Sequence, residues 1–297
     1  MATNKLISLK RIVLFLAINA MLFSCANQIF NLNEDNPWER MELIIKSMPK
    51  TSFLDKTYNI IDFGAVADGM TSNTVAFQKA IKACAANGGG RVLVPNGKYF
   101  TGPIQLESNV NLHLDDNAEI IFSTNPKDYR LVHTSFEGTE LMNYSPLIYA
   151  KNKTNIAITG KGTLNGQANS TNWWIWAGSK SYGWKTGLAS QNDPNNREVL
   201  VDMAEKGVPV AERVFGEGRY LRPNFVEFFD CNTALIKDIK IINAPFWILH
   251  LIKTANMIID GVTITSHGPN NDGCDPEYSQ NVIIKNCTII RVTIVLL

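Results

Sequence analysis

Charge of either sign is not in excess here. The 297 residues carry 28 Lys and Arg against 27 Asp and Glu, a formal net charge of +1. Electrostatics therefore makes no case for nucleic acid, and no basic run traces a phosphate track. Histidine is scarce, at four, and no His or Cys pair stands at metal-ligand spacing, so neither a metal nor another cofactor is expected. The five cysteines include no C-x-x-C pair. No apolar run is comfortably long enough to span a bilayer. What remains is an apolar fraction of 45 % rich in Ile, Leu and Val, enough to bury a sizeable core.

The N-terminus has the make-up of an export signal. Lys5, Lys10 and Arg11 precede an apolar stretch, Ile12 to Phe23, broken by Asn19. Leu22-Phe23-Ser24-Cys25 then resembles a lipoprotein cleavage site. We expect residues 1–24 to be a signal peptide and Cys25 to carry a lipid anchor, with plain secretion the alternative. The protein is then periplasmic, at the outer membrane or cell surface, or secreted, and meets a membrane only through the lipid. In that compartment Cys84, Cys231, Cys274 and Cys287 allow three pairings. We expect buried free thiols instead.

Residues 25–56 read as a tether and short helix. Asn36-Pro37 starts the helix, Trp38, Met41, Ile44 and Ile45 recur at helical spacing, and Pro49 stops it. Tyr58 to Ile61 reads as a strand and Asp68-Gly69-Met70-Thr71 as a turn. Ser72 or Asn73 is placed to cap a helix over Thr74 to Ala86, whose Ala76, Phe77, Ala80, Ile81 and Cys84 share one face. Gly88-Gly89-Gly90 ends it.

Beyond Pro95 the helical period fades. Short β-branched runs alternate with Asn, Gly and Asp turns, and the segments Thr233–Ile241, Asn256–Ile264 and Asn281–Ile289 align on one another at roughly 23 to 25 residues, the repeat of a β-solenoid coil. Such a coil cannot bury its own apolar face; stacking makes the face continuous. The column needs a cap at its end, and the Thr74 to Ala86 helix suits that place. Residues 166–223 break the pattern with Trp173, Trp174, Trp176, Tyr182 and Trp184, then a helix over Asn196 to Lys206. This is a loop insertion whose aromatics either stack on sugars or pack onto the wall.

Three motifs carry a resemblance. Ala244-Pro245-Phe246-Trp247-Ile248-Leu249-His250 is similar to S-P-F-W-x-x-H of glycoside hydrolase family 28, the polygalacturonases. Gly268-Pro269-Asn270-Asn271-Asp272-Gly273-Cys274-Asp275-Pro276 resembles its G-P-N-T-D-G-x-D-P, and Asp62-Phe63-Gly64-Ala65 with Asp68-Gly69 its D-F-G-A-x-x-D-G. The resemblance implies a right-handed parallel β-helix over residues 57–297, a monomer acting on pectic polysaccharide. It implies inverting hydrolysis of α-1,4-galacturonosidic bonds, in which one acid protonates the leaving oxygen. A second carboxylate about 6.5–9.5 Å away activates water. By motif Asp272 is that carboxylate. Asn270, Asn271, Asp275 and His250 are candidate substrate contacts, His250 also a support of the wall, Asp275 also a turn residue. The competing role of Asp272 is an Asx-turn. His267 reads as a turn residue near the cleft.

The family's D-D pair, G-H-G histidine and R-x-K belong downstream and have no counterpart after Thr288. We therefore expect a truncated, inactive chain. One codon choice for Ile289–Leu297, ATA ATA CGG GTG ACG ATT GTA TTG CTN, spells N-T-G-D-D-C-I-A when read from its third base, so a frameshift is the hypothesis that the nucleotide sequence tests. Two other functions compete. A pectate lyase needs a Ca²⁺ cage of carboxylates, for which Asp272 and Asp275 are poor. A non-catalytic carbohydrate-binding protein needs only the tryptophan loop.

Overall fold

The computed structural model describes residues 36–290. The expected signal peptide, Cys25 and the tail after Ile290 lie outside them. Helix Pro37–Ser47 (α1) falls in a first unit. Asn36 caps it by accepting from the Trp38 amide at 3.1 Å, with proline at the first turn, and the helix has no buried residue. Among the described residues no helix is long and apolar enough to cross a membrane.

From Pro49 the chain winds as a right-handed parallel β-helix, and each full coil lays one strand on each of three sheets. Sheet one stacks Thr57–Asn59, Gly90–Val94, Val110–Leu114, Thr154–Gly160, Asn232–Lys237, Ala255–Asp260 and Gln280–Lys285. Sheet two stacks Gly97–Thr101, Ala118–Phe122, Thr163–Asn165, Lys240–Ile242, Thr263–Thr265 and Thr288–Ile290. Sheet three stacks Ile104–Gln105, Ile148–Lys151, Val226–Phe229, Leu249–Ile252 and Cys274–Glu277.

The alternation in each strand fixes the register. Side chains two apart share a face, so the in-pointing Ile158, Ile236 and Ile259 fall on one another in sheet one. Ile120, Leu164, Ile241 and Ile264 do so in sheet two. Ile148, Val226 and Leu249 do so in sheet three. All of these are 0–1 % exposed. A one-residue slip would turn every one of them outward.

Asparagine makes the corners repeat. Asn109, Asn155, Thr233, Asn256 and Asn281 all take φ between 54 and 64° at the entry to sheet one, a left-handed conformation that Asn tolerates better than most residues. Their neighbours in the stack exchange amide hydrogen bonds: Asn155 Nδ2 to Asn109 Oδ1, Asn256 Nδ2 to Asn232 Oδ1 and Asn281 Nδ2 to Asn256 Oδ1, each at 2.9 Å.

Helix Thr74–Ala86 (α2) buries Ala76, Phe77, Ala80, Ile81 and Cys84 against the first coils. Asn73 stands at its N-cap position but makes no side-chain cap bond. Its amide instead accepts from Val66 N at 2.7 Å and donates to Val66 O, Thr71 O and Phe100 O. It ties the incoming turn to the first coil, which consumes the oxygen a cap would use. Tyr58–Ile61 is shorter as a strand than expected: the chain turns into a 3₁₀ helix at Ile60. Cys84, Cys231, Cys274 and Cys287 are free thiols, the first two buried.

Candidate active site

The corner between sheets two and three holds the two long excursions that follow the capping helix. It first sends out an antiparallel hairpin, Leu131–Phe136 and Thr139–Tyr144. One coil later it sends out the tryptophan-rich insertion, with helix Arg197–Glu205 (α3). The insertion returns as Val214–Phe215, which pairs with Met142 and Asn143 of the hairpin. Phe136, Leu141, Leu200, Phe215, Leu221 and Phe246 form a satellite core between hairpin, insertion and corner. Phe246 stacks on Phe136 at 4.8 Å and on Trp247 at 5.4 Å. The next two corners are the Ala244–Trp247 and Gly268–Gly273 motifs, so the motifs lie one above the other.

Asn271 locks the two motif corners together. Its Oδ1 accepts from Ser266 Oγ at 2.6 Å and from Gly268 N at 2.8 Å, and its Nδ2 donates to Ala244 O at 3.1 Å and Phe246 O at 3.0 Å. Ala244 O also receives Trp174 Nε1 at 2.9 Å. Trp174 lies so close to Gly268 that a Cβ there would stand 2.3 Å from its Nε1. Hence glycine at 268, and hence a packing role for Trp174. Trp173, which is 1 % exposed, is likewise part of the core.

Arg222 is a second fastener. It is 1 % exposed and donates from Nη1 to Pro269 O at 2.7 Å and Pro245 O at 3.1 Å. Nη2 donates to Asn270 Oδ1 at 2.8 Å and Gln191 Oε1 at 3.0 Å. The guanidinium lies 4.7 Å over the Phe246 ring. Burial weakens its charged form, which Glu137 opposes. The carbonyls of both corners supply the acceptors.

These bonds present Asp272. Its carbonyl accepts from Ile248 N at 2.9 Å, which fixes the backbone, and the residue is partly exposed just before strand Cys274–Glu277. Asn270 is exposed at φ 55°. Asp275 is partly exposed and registers with His250 in sheet three.

Two expected substrate contacts are corrected by burial. Asn271 is 4 % exposed and its amide is committed to four partners. His250 has no exposure at all. Its Nδ1 lies 2.8 Å from Asn224 Nδ2 and 3.3 Å from Glu227 Oε2, and its Nε2 lies 3.2 Å from Glu277 Oε2. The ring meets Trp247 edge-on at 5.0 Å. Burial opposes its charge, yet the two carboxylates outweigh it and carry the imidazole up to about 9. Both side chains therefore brace the site from within.

Glu227 and Glu277 were not among the candidates. Glu227 is fully buried on the outward face of sheet three, where Thr134 Oγ1 donates to it at 2.6 Å and Asn224 Nδ2 at 2.7 Å. Glu277 receives Ser135 Oγ at 3.2 Å. The signal for Glu227 was a lone acid in the apolar run Val226-Glu227-Phe228-Phe229. The hairpin that supplies Thr134 and Ser135 lies over this face: Tyr149 Oη donates to His133 O at 2.5 Å, and Glu140 bridges Lys253 at 2.7 Å and His133 at 2.6 Å. Among the described residues no three His, Cys, Asp or Glu side chains converge as a metal site.

Comparison with known proteins agrees with this arrangement. A family model described as glycosyl hydrolases family 28 matches residues 216–292, which hold both motif corners, and one described as rhamnogalacturonase A/epimerase, pectate lyase-like, matches residues 57–127. The crystal structure of a hyperthermoactive exopolygalacturonase from Thermotoga maritima superposes with a TM-score of 0.81 at 45 % identity, covering 84 % of this chain and 56 % of that one. A family 28 exopolygalacturonase from Yersinia enterocolitica gives a TM-score of 0.60 at 26 % identity, over 80 % of this chain and 44 % of the other. In sequence, an exo-poly-alpha-D-galacturonosidase of Dickeya chrysanthemi is 28 % identical over 250 residues, 80 % of this chain and 40 % of its own length. The chain thus spans about half, or less, of the length of the relatives it matches. With its motifs stacked on one corner of a right-handed β-helix, the chain resembles glycosyl hydrolases family 28, whose model it matches over residues 216–292.

Proposed function

We propose that this chain carries the water-activating side of a site that hydrolyses α-1,4-galacturonosidic bonds of pectic polysaccharide with inversion, working from a chain end. The observation that carries the reading is Asp272, partly exposed and held by its backbone at the mouth of sheet three between two fastened corners. A carboxylate so placed accepts a proton from a water that attacks the anomeric carbon, while an acid on the opposite side protonates the departing oxygen. The names of the relatives support a polygalacturonate substrate.

The hairpin supports action at a chain end. It covers the outward face of sheet three through Tyr149 and Glu227 and reaches Glu277 in the coil of Asp275. A polymer lying along that face meets this wall beside Asp272 and cannot continue past it.

The 297 residues include no D-D pair after Asp275, the motif from which the family resemblance draws the proton donor. General acid catalysis is worth about 10²–10⁴-fold, so a polypeptide of these residues is expected to release reducing ends from polygalacturonate at least that much more slowly than one that also carries the D-D coil. In the longer polypeptide, Asp272→Asn should abolish turnover. Product analysis should show small sugars from the outset with little early loss of viscosity. Comparable turnover by the 297-residue polypeptide, or rapid thinning of the polymer, would contradict the proposal.

A further inference from the structure

We propose that the cavity at the foot of the hairpin is a second carbohydrate site, for an acidic oligosaccharide, separate from the Asp272 corner. The cavity measures about 570 Å³, and its lining includes Tyr144, Trp176, Tyr220, Lys127, Arg130 and Glu217. Carbohydrate sites combine aromatic walls with a few polar groups that fix orientation, and both are present.

The aromatic wall is built, not incidental. Trp176 meets Tyr220 edge-on at 5.3 Å and lies tilted against Tyr144 at 6.0 Å, and Trp173 backs it at 4.9 Å. Tyr220 holds φ at +56°, a conformation that costs a side-chain-bearing residue free energy. Trp176 and Tyr220 both stay partly exposed, so an apolar surface remains for the face of a sugar ring.

The charges select the sugar. Lys127 and Arg130 are exposed, and among the described residues neither enters a salt bridge, whereas Lys98, Lys153 and Lys253 do. Uncommitted cations beside an aromatic wall suit a ring that bears a carboxylate. Glu217 accepts from sugar hydroxyls and leaves the lining net positive. The choice of a uronic acid over another acidic sugar rests on the pectic reading above.

The position separates the two sites. The cavity lies between the corner after strand Ala118–Phe122 and the insertion on the next corner, and Asp272 lies on the corner after Thr263–Thr265, two to three coils further along sheet two. Coils stack roughly 4.8 Å apart, so about 10–14 Å of the helix axis intervenes, more than one sugar ring covers. Arg130 also lines a smaller cavity of about 180 Å³ with Gln105, Glu107 and Lys82. That second cavity lies against α2, at the end of the β-helix away from Asp272. A polymer held there stays close to the molecule without entering the reaction corner.

The test is titration of the whole chain with trigalacturonate, read by calorimetry and by tryptophan emission, with maltotriose as the neutral control. Lys127→Ala with Arg130→Ala removes two exposed side chains and so keeps the fold, which circular dichroism checks. We expect this variant to lose about tenfold or more in affinity for one class of site. Trp176→Phe should lose the emission change, Asp272→Asn should keep it, and maltotriose should produce none. Unchanged binding by the double variant, or loss of all binding in Asp272→Asn, would overturn the proposal. The reading of the Asp272 corner fails separately, if a polypeptide carrying the D-D coil releases no reducing ends.

Discussion

At the residue scale the site is a contest between burial and satisfaction. Asn271 and Arg222 are polar groups taken out of water, and each survives there because backbone carbonyls of the two motif corners receive its protons. Leaving such carbonyls without donors costs about 1–3 kcal/mol each. Asn271→Ala should therefore lower stability by about 2–4 kcal/mol in chemical denaturation, and Asn271→Asp should do no better, because a carboxylate cannot donate to Ala244 and Phe246. His250 adds a pH dependence. Its pKa is raised to about 9 by Glu227 and Glu277, against ~6.5 for the free side chain. The stabilisation is whole below about pH 6.5 and is lost as the pH climbs toward 9. The melting temperature should fall across that window, and replacing both carboxylates by glutamine should flatten the fall. An unchanged slope in that double variant would remove His250 as its source.

At the element scale, legibility followed sequence distance. Helix α2 was readable to the residue because its apolar face, Ala76 to Cys84, is set by i, i+3 and i+4 spacing alone. The Asp68 turn was readable for the same reason. Its carboxylate accepts from the Thr71 hydroxyl and the Met70 and Thr71 amides, which hold it down at about 2. The coil repeat was readable because stacked strands recur every 23 or 25 residues, from Asn232 to Ala255 to Gln280. The hairpin was not. Its turn, Glu137-Gly138, takes left-handed φ at both residues, a two-residue hairpin signal that the solenoid reading passed over. What covers sheet three is joined by contacts 93 and 142 residues apart, Thr134 to Glu227 and Ser135 to Glu277. No local pattern encodes such partners, so His250 and Asn271 looked available for substrate when they are sealed. The cap gives a direct check: Phe77 is 1 % exposed, and Phe77→Ala should cost about 3–5 kcal/mol. A loss under 1 kcal/mol would mean α2 does not close the column.

At the scale of the whole β-helix, stability is nearly one-dimensional. Each coil touches its neighbours above and below, and the apolar column Ile158, Ile236, Ile259 runs through three of them. In such stacks stability is close to a sum of coil terms and interfaces between coils, so damage spreads along the axis before it spreads across it. Ile236→Ala removes buried volume from the middle of the column and should cost about 2–5 kcal/mol. The corner that carries Asp272 is fastened to the column through Ser266, which follows strand Thr263–Thr265, and through Ile248, which precedes Leu249–Ile252. Hydrogen exchange should therefore quicken in Thr154–Gly160 and Ala255–Asp260 first, then in the motif corners, and least in α2, which packs on the first coils. A uniform rise from α2 to Glu277 would show instead that the described coils open as one cooperative unit. The reaction corner would then depend on α2 as much as on its adjacent strands, and Phe77→Ala would loosen Asp272 as strongly as Ile236→Ala does.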